Sequence, residues 1–275
     1  MTLYQTMIVA WSILFLAPSS SWAQSIVAAV LPSSRSVQVG TVATAFATIV
    51  NTGSVTATNC GISLVTAIPV TFSFQTTNPL TNQVTGSPNT PVSIPPGAAQ
   101  SFVFDLRPIL IFPLAPTDVQ FGFDCSNTNP APVNTGLNTL LFSASSTLVS
   151  DIVVLAATPT NDGIVNVSGS NGGAFAVATV NMGASGSITA SADTGNASLP
   201  LNISLCRTNP VTGQCISAIG SSVTTINVNT TPTFGIFVQG AGNVPFDPAA
   251  NRIFVRFKDS GNVTRGSTSV AVRTQ

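Results

Sequence analysis

The sequence predicts an all-β protein made of two tandem β-sandwich domains behind a secretory signal. Three observations carry this. Apolar and polar residues alternate with a period of two, and clusters of Gly, Asn, Ser, Thr and Pro separate the alternating stretches. The second half of the chain also repeats the first at a nearly constant offset.

The first element is the signal. Met7 to Ala17, MIVAWSILFLA, is an apolar stretch of eleven residues followed by PSSSWAQ, where Ser21 and Ala23 supply the small residues that a signal peptidase accepts. Residues 1–23 are therefore expected to be a signal peptide cut between Ala23 and Gln24, although residues 1 to 6 carry no Lys or Arg and leave the terminal amine as the only n-region charge. The stretch falls short of the ~20 residues that span a bilayer. Beyond it the longest apolar runs are six residues, Ile26 to Leu31 and Ile152 to Ala157, so no membrane span is expected in the mature chain.

Removing that segment takes both Trp, the one Tyr and one of the sixteen Phe with it, so the mature aromatics are all Phe and carry no polar handle. Charged residues make up 6% of the chain, with eight Asp, no Glu, no His and eight basic residues in balance. An average globular domain has roughly 25%. A neutral, sparsely charged chain offers no steering field for nucleic acid, which is excluded as a partner. It also has little repulsion to keep its copies apart.

The sandwich elements follow. SFVFDL sets Phe102, Phe104 and Leu106 on one face, VQFGFDC sets Val119, Phe121, Phe123 and Cys125 on one face, and RIFVRF does the same with Ile253, Val255 and Phe257. Turn-forming stretches such as NTGS, SIPPGAAQ, TNDG and DSGN separate such strands, and no helix is predicted after residue 23. ATIVNTG at Ala47 to Gly53 matches VATVNMG at Val177 to Gly183 at an offset of 130, TNPLTNQ at Thr77 matches TNPVTGQ at Thr208 at 131, and Phe102 falls on Phe234 at 132. Loop insertions between equivalent strands produce such a drift. The expected domains are 24–148 and 149–275, joined at SASSTLVSD with no Pro-rich or charged spacer, which implies close stacking.

VATAFATIVNTGSVTATNCGISL followed by VSIPPGAAQSFVFDL resembles the bacterial immunoglobulin-like repeat domains of the CARDB, or cell-adhesion-related, type. The resemblance covers most of residues 40 to 106 and, more weakly, 174 to 240. The arrangement as a whole is similar to secreted proteins of Gram-negative bacteria. The resemblance implies two tandem immunoglobulin-like β-sandwich domains, extracytoplasmic exposure, adhesive or spacing roles and no catalytic residue.

Four cysteines in a chain with a signal peptide favour disulfides over metal. Cys60 shares a strand face with Ile62 and Leu64, and Cys125 with Phe121 and Phe123, so these two are expected to pair between neighbouring strands. Cys206 and Cys215 flank the second TNP stretch and would staple its loop, whereas the matching first-copy positions, Gln75 and Val84, carry no cysteine. Zinc would need C-x-x-C pairs or histidines, and the sequence has neither.

Without His there is no Ser-His-Asp triad or Cys-His dyad, and the one Lys, Lys258, lies beside an exposed turn. The DTG at Asp193 to Gly195 has no second copy with which to share a proton. The oxygen-rich turns at Asp162, Asp193 and Asp259 are read as turns, because a calcium ion needs six to eight oxygens and no twelve-residue loop supplies them. No catalysis and no cofactor are expected.

The expected function is that of a non-catalytic secreted or cell-surface protein, in the periplasm, on the outer surface or outside the cell, acting in adhesion, binding or spacing. The alternative is a self-assembling subunit of an extracellular filament or surface layer. The partner is an unidentified protein or surface, the chain itself among the candidates. Its expected contact is the stapled loop, Arg207, Thr208, Asn209, Pro210, Val211, Thr212, Gly213 and Gln214.

Overall fold

The structure, a computed structural model, describes residues 25–109, 114–169, 172–227 and 231–275. The expected signal and its cleavage point at Ala23 and Gln24 lie outside the described residues.

Among the described residues eighteen strands follow one another. The first nine are β1 (Ile26–Leu31), β2 (Ser34–Gln38), β3 (Ala43–Asn51), β4 (Ala57–Leu64), β5 (Val70–Thr77), β6 (Val92–Ile94), β7 (Ala99–Pro108), β8 (Leu114–Asp124) and β9 (Thr139–Ser145). The second nine are β10 (Ile152–Ala157), β11 (Ile164–Val167), β12 (Gly173–Asn181), β13 (Gly186–Asp193), β14 (Leu201–Thr208), β15 (Ser222–Asn227), β16 (Thr233–Gly240), β17 (Arg252–Asp259) and β18 (Thr264–Thr274). In the first half a sheet of order β1-β3-β7-β5 lies against one of order β2-β9-β8-β4-β6, and the second half repeats this as β10-β12-β16-β14 against β11-β18-β17-β13-β15. This is the immunoglobulin order, A-B-E-D facing G-F-C.

The alternation read from the sequence builds both cores. Phe102, Phe104 and Leu106 of β7 are buried against Phe121 and Phe123 of β8, and the Phe104 and Phe121 rings lie 4.8 Å apart between centroids. In the second half Phe234 and Phe257, at the positions of Phe102 and Phe123, meet with 5.3 Å between centroids. Each such ring contributes roughly 1.5 to 3 kcal/mol by leaving water.

The duplicated register is visible strand by strand. Ala47 pairs with Phe102 as Val177 pairs with Phe234, and Thr76 pairs with Phe102 as Arg207 pairs with Phe234. The recurring Asn of NTG and NMG has a structural role in both copies. Buried Asn51 accepts from Gly53 N and donates to the carbonyls of Val55 and Ile94. Buried Asn181 accepts from the amides of Gly183 and Asp151 and donates to Ala184 O. An amide side chain can satisfy several turn groups at once where the chain leaves the strand.

The two halves share a polar seam. Ser33 Oγ and Ser34 Oγ both donate to Ser267 O, at 2.9 and 3.1 Å, and Ser267 N donates back to Ser34 Oγ at 2.6 Å. Asp151 receives the Ser36 amide at 2.8 Å on one oxygen and the Arg35 guanidinium at 2.9 and 3.0 Å on the other. Further along, Arg265 donates to Ser145 Oγ and Ser269 Oγ donates to Gly136 O. Gly136 has φ of +76°, and a side-chain carbon there would stand 2.6 Å from the Phe254 ring, so only glycine permits this approach.

The order of those contacts fixes the packing direction. Going up β18 from Arg265 through Ser267 to Ser269, the partners run down the first half from Ser145, through Ser34 beside Leu141, to Gly136. The strands β9 and β18 therefore run antiparallel across the seam, and equivalent ends of the two halves point in opposite directions.

Candidate partner-binding site

The stapled loop grows from the end of β14. Asn209 Oδ1 accepts from the amides of Val211 and Thr212 at 2.9 and 3.2 Å, Gly213 N donates to Asn209 O at 2.8 Å, and Asn209 N donates to Gln214 O at 2.8 Å. Asn closes such turns because its short carbonyl reaches its own backbone two residues on. Gly213 sits at φ of +71°, where a side chain is strained. The Cys206–Cys215 bridge joins the ends, with Cα atoms 5.7 Å apart.

The loop following β5 has the same bonds at the same positions. Asn78 Oδ1 accepts from Leu80 and Thr81 at 2.9 and 3.2 Å, Asn82 N donates to Asn78 O, and Asn78 N donates to Gln83 O. Asn82 takes the positive φ, 55°, that Gly213 takes in the second copy. Where the second copy has its disulfide, the first has side-chain bonds from Gln75 Nε2 to Gly86 O and from Thr76 Oγ1 to Thr85 O, both at 2.7 Å.

Both loops end in an aliphatic residue held in solvent, Leu80 and Val211, each 91% exposed. A single exposed aliphatic side chain needs no explanation. Its recurrence at one position of two loops with a shared hydrogen-bond pattern singles out the pair. Among the eight stapled-loop residues, Arg207 and the tip from Pro210 to Gln214 are exposed, Asn209 is half-buried and committed to the turn, and Thr208 is buried with its hydroxyl 2.7 Å from that of Thr233. Thr208 is therefore not available to a partner. The first-copy tip was visible in the sequence only through the 131-residue offset, because nothing in TNPLTNQ marks Leu80 as more exposed than other leucines.

Both loops sit where their sheets end with β3 and β12, since β5 and β14 run alongside those strands in the same direction through β7 and β16. The antiparallel packing of the halves therefore places the Leu80 and Val211 tips at opposite ends of the molecule.

The other bridge, Cys60–Cys125, joins adjacent antiparallel strands β4 and β8, with Cα atoms 4.0 Å apart beside the Gly61–Asp124 pair. All four cysteines are oxidised, the state of chains in an extracytoplasmic, oxidising setting.

The acidic turns spend their carboxylates locally. Asp193 accepts from Arg256 at 2.7 and 3.2 Å and from Gly195 N at 2.8 Å. Asp259 accepts from Arg265 and from the amides of Gly261 and Val263. Asp162 accepts from Thr158 Oγ1 and Ile164 N, and hydrogen bonding, from the Thr160 side chain first, then Ile164 N and Thr158, holds its carboxyl below the ordinary value. Among the described residues no group of three His, Cys, Asp or Glu is placed to hold a metal ion.

No family model matches the chain, and no curated protein matches it. Solved structures with a likeness include the major pilin subunit BcpA of Bacillus cereus, in a D312A form, at 9% identity and a TM-score of 0.32, over 91% of this chain and 70% of that one. The adhesin InvE of Yersinia pseudotuberculosis is 11% identical with a TM-score of 0.25, over 91% of this chain and 60% of that one. The secreted serine protease VesC of Vibrio cholerae is 13% identical with a TM-score of 0.26 over 91% of this chain, which spans about half, 50%, of VesC. Nothing about function is taken from likenesses of this size.

Proposed function

We propose that the chain is a non-catalytic, extracytoplasmic protein of adhesion or spacing, which meets its partner through the loop tips at its two ends. The observation that supports this is the pair of equivalent loops, each holding one aliphatic side chain in solvent on a turn fixed by Asn and by a staple or its hydrogen-bonded counterpart. A tip ordered before contact loses little freedom on binding, which favours affinity. The resemblance to CARDB-type domains agrees with such a role, and a Gram-negative envelope is the setting it suggests.

The test is made in cells. The full chain is expressed with its own N-terminus and a photo-crosslinking residue at position 211. A discrete adduct on illumination, lost when Cys206 and Cys215 are both serine while the chain stays folded, is the expected result. Illumination that yields no adduct with the exported chain overturns the proposal.

A further inference from the structure

We infer that a second copy of this chain receives the Val211 tip in the cleft between the two halves. The inference rests on the binding role proposed above and names the partner.

The cleft has a volume of about 390 Å³ and draws its walls from both halves, Leu31 and Leu137 from the first, Leu155 and Phe246 from the second. Leu31, Leu155 and Phe246 are each about half exposed, an unusual concentration of large apolar surface in one recess. Asp162 lies in the same lining, with an exposed carboxylate that no cation pairs among the described residues. The two cations nearby are turned to other partners. Arg252 donates to Pro248 O and to Ser269, and Arg273 donates to Asn166 Oδ1 while lying over the Phe246 ring.

The tip carries the complement. Val211 is aliphatic and solvent-held, and Arg207, four residues earlier at the start of the same loop, is exposed and has no carboxylate partner among the described residues. A loop that brings one apolar tip and one unpaired cation meets apolar walls with one unpaired carboxylate in their lining. The net charge of zero adds no overall repulsion between copies. The second-copy loop is favoured over the first because it has the cation and the covalent staple. Tip and cleft are different surfaces, so their contact either closes in a two-fold exchange between two copies or repeats into rings or open chains.

Sedimentation velocity on the exported, oxidised full chain over a wide concentration range tests this. Concentration-dependent assembly is expected, weakened by roughly tenfold or more in Val211→Asp and in Leu155→Asp, as for residues at the centre of an interface. Arg207→Asp and Asp162→Arg should each weaken it, and the two together should restore it. Thermal melting of each variant separates lost contact from lost fold. A monomer at every concentration overturns the inference, as does assembly indifferent to positions 211 and 155, or a charge swap that restores nothing. If the chain is monomeric but still crosslinks from position 211 to a different protein in cells, self-docking is removed and the binding role stands.

Discussion

Single residues carry more of this fold than their sequence contexts announce. Asn181 holds two amides and one carbonyl where β12 ends, and one of those amides belongs to Asp151 at the seam. Asn181→Ala leaves these groups without partners, and a loss of about 2 to 3 kcal/mol is expected from the denaturant midpoint. Asp259 adds a pH dependence. Burial pushes its pKa up, but bonds from Arg265, Val263 N and Gly261 N outweigh burial and hold it below the ordinary 3.8. A carboxyl with a depressed folded pKa contributes stability that is present above its unfolded value and is lost as pH falls through the folded one. Urea midpoints should therefore drop less steeply below about pH 4 in Asp259→Asn than in the parent. The recurrence of Asn51 and Asn181 was legible as a repeat, whereas their task was not, because NTG fits an ordinary turn as well as a buried cap.

At the scale of strands and loops, alternation made the fold class readable. Runs such as Ser101 to Leu106 and Arg252 to Phe257 can bury one face only as strands, and the structure is all-β. The same alternation aims Cys60 and Cys125 inward from their strands. The switch of the chain from β1 to β2 was not legible. Pro32, with no N–H to donate, ends pairing in one sheet, yet nothing local says that the chain rejoins the opposite sheet. The two bridges should separate in their effects. Replacing Cys60 and Cys125 by serine opens a loop of sequence separation 65, and the expected loss is about 4 kcal/mol. Replacing Cys206 and Cys215, separated by 9, should cost roughly 2.5 kcal/mol, with both values read from chemical denaturation.

For the whole molecule, the deciding feature is the seam, and it was the least legible. The absence of a spacer at SASSTLVSD suggested contact between the halves, but the direction of packing rests on bonds between residues such as Ser34 and Ser267, 233 positions apart, which no periodicity links. Arg35 and Asp151 are largely buried there, with side chains 12% and 5% exposed, so removing one partner strands the other. Asp151→Ala should cost about 3 to 5 kcal/mol and split a single calorimetric transition into two as the halves uncouple. The antiparallel seam has a mechanical consequence. A pull applied between the Leu80 and Val211 tips would cross from one half to the other where β18 faces β2 and the neighbouring β9, which both run in the opposite direction. Such a load acts in shear, so the serine bonds to Ser267 and the Arg35–Asp151 pair would resist it together instead of opening one after another. The molecule would bear tension between its two tips far better than a peeling force at either end of the seam.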